Sequence, residues 1–104
     1  MSIEAFKELI ELASPGKVFE LAAPKGMREY AVWHEYAPRT LGGDNAVQLE
    51  VSRVQIDVIW QQDKALLKSI KKTLSDNGLF YEVVEHGFDD EWQSMRCILQ
   101  LEVL

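Results

Sequence analysis

The sequence predicts an α+β fold with a mostly antiparallel sheet of four to five strands and two helices packed on one of its faces. Three observations predict it. Apolar residues recur at helical spacing in two segments, they alternate at strand spacing in several others, and the order of these segments is helix, strands, helix, strands. A length of 104 residues is that of one domain with one core, covering 1–104.

The first element is an amphipathic helix over residues 2 to 13. Ser2 is its expected N-cap, and the helix ends at Ser14–Gly16 because Pro15 cannot continue the hydrogen bonding of a helix. The apolar face repeats at intervals of three and four residues and consists of Ile3, Phe6, Leu9, Ile10 and Ala13.

Strand-forming segments follow. Residues 17–23 suggest a short strand or extended arm, and 28–37 are rich in strand formers. Pro38–Asn45 is a loop by composition, with one proline and two adjacent glycines. Residues 46–61 then predict one long strand. Its apolar residues shift from odd to even positions at Ser52–Arg53, which predicts a bulge there.

The second half repeats the order of helix and strands. A helix begins after Asp63 as N-cap, buries Leu66, Leu67, Ile70 and Leu74, and ends at Asn77–Gly78. A strand over 79–85, an acidic turn over 86–91 and a final strand ending near Val103 complete the chain. The last two strands are expected to pair as a hairpin.

Composition and charge exclude several classes of protein. The 47% hydrophobic and 27% charged residues indicate a folded chain rather than a disordered one. The net charge of −6 argues against direct binding of nucleic acid. A single cysteine, Cys97, allows no internal disulfide and favours a reducing, cytoplasmic history. We expect no signal peptide and no membrane span, because no apolar stretch has the required length.

Residues that carry chemistry are few. Glu85, His86, Asp89, Asp90 and Glu91 form the densest group of potential metal ligands, but their spacing matches neither a zinc motif nor a calcium loop. Cys97 is expected in the core, where burial disfavours the thiolate. No nucleophile elbow and no phosphate-binding loop is present in the sequence. The sequence therefore predicts no enzyme, no cofactor and no metal.

The aromatic residues offer a different kind of candidate. Trp33, Trp60 and Trp92 are many tryptophans for a small core that also holds four phenylalanines and three tyrosines. Tryptophan is enriched in protein interfaces, so the three are candidate interface residues. The equally probable alternative is that they cap the ends of the core.

The order of segments from Tyr30 to Leu104 resembles the small tail completion, or tail terminator, proteins of long-tailed phages and prophages. The residues that carry the resemblance are YAVWHEY at 30–36, the glycine-bearing loop, the string RVQIDV at 53–58, the helix over 66–74 and the two closing strands. It covers about three quarters of the chain.

The resemblance implies a structural protein that is assembled in the cytoplasm of the bacterial host and located in the tail of the virion. It would form a ring, expected to be a hexamer, that ends polymerisation of the tail tube. Its implied partners are other copies of itself, the tail-tube protein and the head connector, with DNA only passing through a pore. Interface candidates are Trp33, Trp60, Trp92, Arg39, Leu41 and Asp44.

Two alternatives stay open from the sequence. One is a connector or neck protein of the same head-to-tail module, which differs in its partner. The other is a small α+β ligand-binding or regulatory domain that uses the turn Glu85–Glu91 to hold a cation.

Overall fold

The structure, a computed structural model, describes residues 1–41 and 49–103. Two helices and five strands follow one another in an α+β arrangement, which confirms the predicted class. In chain order they are α1 (Ile3–Ala13), β1 (Val18–Glu20), β2 (Tyr30–Leu41), β3 (Leu49–Trp60), α2 (Ala65–Asp76), β4 (Tyr81–Asp89) and β5 (Ser94–Val103).

The five strands form one mixed sheet in the order β1-β2-β3-β5-β4. β1 pairs in parallel with β2, whereas β2 with β3, β3 with β5, and β5 with β4 pair antiparallel. The prediction of a mostly antiparallel sheet is therefore corrected to a mixed one. The reason lies in β1, because the chain returns over residues 21–29 before entering β2 and so runs in the same direction along both strands.

The helix ends follow the expected capping chemistry. The Ser2 hydroxyl accepts a hydrogen bond from the backbone N–H of Ala5 at 3.1 Å, which confirms Ser2 as the N-cap of α1. The predicted N-cap of α2, Asp63, is wrong by one residue, because the helix begins at Ala65 and Lys64 is its N-cap, without a side-chain hydrogen bond. Asp63 still satisfies a group at the helix end, since its carboxylate accepts from the N–H of Ala65 at 2.9 Å. Gly78 follows α2 at φ +69°, a left-handed conformation that glycine adopts without strain.

One cluster of buried side chains joins the helices to the sheet. It includes Phe6 and Ile10 of α1 and the predicted apolar face of α2. From the sheet it takes alternate positions, which by strand geometry share one face. We call this the core face of the sheet; its members on β3 and β5 are Val54, Ile56, Val58, Trp60, Cys97, Leu99, Leu101 and Val103.

The bulge predicted at Ser52–Arg53 is misplaced. β3 pairs with β5 without interruption from Ser52 to Trp60, and the irregularity lies across the sheet in β2, where Tyr36 is the extra residue between Glu35 and Ala37. The apolar residues of β3 change from odd to even positions for another reason. Val51 is fully buried but lies outside the core cluster, on the face of the sheet opposite that of Val54.

The segment predicted as a loop from Pro38 begins as a strand, and the predicted start of the long strand at 46 lies outside the described residues. β2 continues to Leu41, which pairs with Leu49, so residues 38–41 form a strand. Pro38 is tolerated there because β1 covers only Ala31–Trp33, and prolines occur on open strand edges. The rest of the predicted loop lies outside the described residues.

The hairpin of the last two strands is confirmed, with β4 extending to Asp89 and taking in part of the predicted turn. A second irregularity falls at Val84, between Val83 and Glu85. Over residues 1–41 and 49–103, neither helix combines the length and apolar character that a membrane crossing requires.

Candidate interaction surface

The three tryptophans occupy different environments. Trp33 is 1% exposed and packs edge to face on Phe6, with ring centroids 5.4 Å apart. Trp60 is 2% exposed and lies 5.6 Å from the ring of His86. Trp92, in the turn between β4 and β5, is 67% exposed. Trp33 and Trp60 thus fill the core, the alternative considered from the sequence, and Trp92 alone of the three has an exposed ring.

The other interface candidates lie near the far end of the β2–β3 pair. Arg39 and Leu41 belong to β2, at the register positions opposite Val51 and Leu49. Asp44 lies outside the described residues. An interface role for these three residues stays a prediction.

An exposed apolar surface follows β4, which is an edge strand of the sheet. Val83, Val84 and Phe88 on the strand are each about half exposed, and Phe80 just before it is 92% exposed. Trp92 is exposed in the turn beyond the strand. We call Phe80, Val83, Val84, Phe88 and Trp92 the β4 edge surface. Val83 and Phe88 pair with Leu99 and Met95 and so lie on the core-face side of the sheet. Exposed large apolar side chains along an edge strand are typical of a binding surface.

Acidic side chains accompany this apolar row. Glu82, Glu85 and Asp89 lie on β4, and the strand contains no lysine or arginine. Asp89 also shapes the turn, because its carboxylate accepts hydrogen bonds from the backbone N–H groups of Glu91 at 2.9 Å and Trp92 at 3.2 Å. The Asp89 carboxylate thereby holds the turn that presents Trp92.

A polar row crosses the neighbouring strands on the face opposite the core face. Arg96 Nη2 donates to Asp57 Oδ2 at 2.8 Å, and Gln55 Nε2 donates to the other oxygen of Asp57 at 2.9 Å. Gln100 Nε2 donates to Gln55 Oε1 at 3.0 Å. The hydrogen bond to Asp57, with the nearby charges of Asp57, Glu85 and Asp89, raises the pKa of the Arg96 guanidinium. The Arg96 guanidinium therefore keeps its positive charge at neutral pH.

A groove opens at each end of the β4 edge surface. One, of about 590 Å³, lies between the 23–27 segment and the β4–β5 turn, and Trp92 lines it with Met27 and Met95. The other, of about 830 Å³, is lined by Phe80 and by Tyr36 of the β2 bulge. The exposed row therefore continues into concave surfaces that a partner's side chains can enter.

The opposite edge of the sheet is open over part of its length. β1 pairs with β2 only at Ala31–Trp33. From His34 to Leu41, β2 has no strand on that side within the part of the chain that the structure describes. Among residues 1–41 and 49–103 the sheet thus has two unlike open edges, β4 on one side and residues 34–41 on the other.

The sequence also drew attention to a possible cation site and to the single cysteine. No group of three or more His, Cys, Asp and Glu side chains that could hold a metal ion is found among residues 1–41 and 49–103. Cys97 is buried as predicted, and burial raises the pKa of its thiol, which disfavours the nucleophilic thiolate.

Of the β4 edge surface, the sequence pointed only to Trp92. Val83 and Val84 fall in the predicted strand over 79–85 and Phe88 in the predicted acidic turn over 86–91, and none of these three was a candidate interface residue. No protein-family model matches the sequence, and no curated protein matches it either.

Proposed function

We propose that this chain is a structural, non-enzymatic tail completion protein that acts through protein–protein contacts and forms a ring at the head-proximal end of a phage tail tube. The observation that carries the proposal is the β4 edge surface, a set of exposed apolar side chains along an edge strand. The likeness of residues 30–104 to tail completion proteins supplies the biological setting.

The arrangement of the core supports this role. Because α1 and α2 contribute to the same cluster as the core-face residues of β3 and β5, we infer that both helices cover one face of the mixed sheet. The opposite face, with its polar row, and the two open edges are then left for contacts. A subunit of a ring needs several separate surfaces: one for each neighbour, one for the tube and one for the connector.

The mechanism is geometric. Each subunit binds the next through unlike surfaces, which generates a ring when the rotation closes. Polymerisation of the tube ends because the outer surface of the ring does not match another tube subunit. The net charge of −6 suits a pore through which DNA passes without being held, since like charges repel.

The test is the mass of the protein in solution. Light scattering over a rising concentration series, with negative-stain images of the most concentrated sample, is expected to show rings with a central hole. A second assay adds the chain to the tail-tube protein of the same genome and measures tube length, which is expected to shorten. A chain that remains monomeric at every concentration and leaves tube length unchanged would refute the proposal.

A matched pair of variants links the result to the surface. Val84→Lys places a charge on the β4 edge surface, whereas Leu12→Lys places one on α1, at a residue that is 73% exposed. Only the first is expected to reduce ring formation.

A further inference from the structure

We propose that the ring is built by continuation of the sheet: β4 of one copy pairs antiparallel with residues 34–41 of β2 in the next copy. The inference rests on the proposed function, in that it identifies the contact between neighbouring subunits. It names both partner strands, the direction of pairing and the occupant of each open edge.

The two open edges match in length. β4 offers nine residues, Tyr81–Asp89. On the other side, the part of β2 that β1 leaves uncovered runs from His34 to Leu41. Edge strands carry unpaired backbone N–H and C=O groups, and a contact between strands of similar length pairs the groups that face it, except at Pro38, which has no N–H to donate.

The direction of pairing follows from the topology. Successive antiparallel pairings from β2 through β3 and β5 to β4 leave β4 antiparallel to β2 within one chain. When the axis of the ring runs along the strands, the rotation that relates one copy to the next leaves the direction of each strand unchanged. The β2 strand of the next copy in a ring therefore meets β4 antiparallel, the same arrangement that three of the four strand pairs in the sheet already use.

Charge favours this contact over the symmetric one. Pairing β4 with β4 of a second copy would bring two sets of the carboxylates Glu82, Glu85 and Asp89 together, and like charges on neighbouring strands are destabilising. The open part of β2 carries one acidic residue, Glu35, and one basic residue, Arg39. It offers β4 a partner strand that is close to neutral.

Exposed side chains accompany both edges. Val84, at the irregularity of β4, and Tyr36, at the bulge of β2, are each about half exposed. Their coverage by the neighbouring copy would remove apolar surface from water, which adds to the backbone pairing. The groove beside Phe80 and Tyr36 lies at the same end of the molecule as the open part of β2.

The experiment is cross-linking between engineered cysteines with a bismaleimide, whose spacer tolerates a shift of register. Val84→Cys and Tyr36→Cys are made singly and together, and the unmodified chain controls for the buried Cys97. The double variant is expected to give a ladder of dimers, trimers and larger species. A mixture of the two single variants is expected to give dimers only, because each chain then has one engineered thiol.

Other outcomes would overturn the inference. Dimers from Val84→Cys alone would show symmetric pairing of β4 with β4. Rings in negative stain without cross-linking of the double variant would refute the strand contact but leave the proposed function standing. The absence of cross-links and rings, together with unchanged tube length, would refute both.

Discussion

Replacing Trp92 by alanine should weaken self-association while leaving the fold intact. The side chain is 67% exposed and reaches from the turn that follows β4, so it contributes little to the core. In the proposed assembly it lies at one end of the β4 edge surface and becomes covered by a neighbouring protein.

The expected loss of association free energy follows from the exposed area of the Trp92 side chain, which a neighbouring protein would cover. A tryptophan can bury roughly 250 Å², so the exposed two thirds amount to about 170 Å². At about 25 cal/mol per Å², complete coverage would contribute ~4 kcal/mol. Coverage of half the exposed ring gives ~2 kcal/mol, which corresponds to an association constant reduced about 30-fold.

Sedimentation velocity over a concentration series measures this change, and circular dichroism with thermal unfolding checks the fold. Leu12→Ala is the control, because Leu12 is similarly exposed, at 73%, but lies on α1. An association constant equal to that of the unmodified chain, at an unchanged melting temperature, would refute the assignment of Trp92 to a contact surface.

Two further predictions concern the core. Leu99→Ala, at a fully buried position of β5, should lower the free energy of unfolding by about 2–5 kcal/mol, because it removes packed methyl groups and leaves a cavity. Urea denaturation measures this loss. A change below ~1 kcal/mol would contradict the packing described. Cys97 should make stability fall with rising pH: burial raises the pKa of the folded thiol above its ordinary value of 9.0, so the unfolded chain loses this proton first. The contribution is fully present below the unfolded pKa and is lost as pH rises towards the folded one, by at most ~1.4 kcal/mol per pH unit. Urea unfolding at about pH 8 and pH 10 should show a larger decline for the unmodified chain than for Cys97→Ala, and equal declines would contradict the burial effect.

Helices were the most predictable part of this fold. The apolar faces of α1 and α2 repeat at helical spacing, and Ser2 and Gly78 mark ends that local chemistry determines. These features depend on neighbours within a few residues along the chain. The periodicity alone was therefore sufficient to locate both helices.

Strand pairing depended on contacts that the sequence does not display. β1 has only three residues, too few to show an alternating pattern, and its parallel pairing with β2 reflects the path of residues 21–29. The shift at Ser52–Arg53 suggested a bulge because burial on one face was assumed. Val51 is instead buried on the other face, and the extra residue is Tyr36 on the adjacent strand.

The candidate surface was predictable only in part. Trp92 was recognised by residue type, but so were Trp33 and Trp60, which the structure places in the core. The residue type alone does not show whether an aromatic side chain lies at an interface or in the core. The position of β4 at the edge decides which apolar residues are exposed, and that position follows from the order of five strands rather than from any local motif.

The shortness of β1 has a consequence for the size of the proposed ring. β1 covers only the first part of β2, so in the proposed ring it would limit how far an incoming strand can slide and would set the stagger between successive copies. A closed ring has no net rise, so this stagger must be balanced by the tilt of the strands to the ring axis. Three residues near the N-terminus would thus help to fix the number of subunits, and a chain lacking β1 should assemble into rings of mixed size.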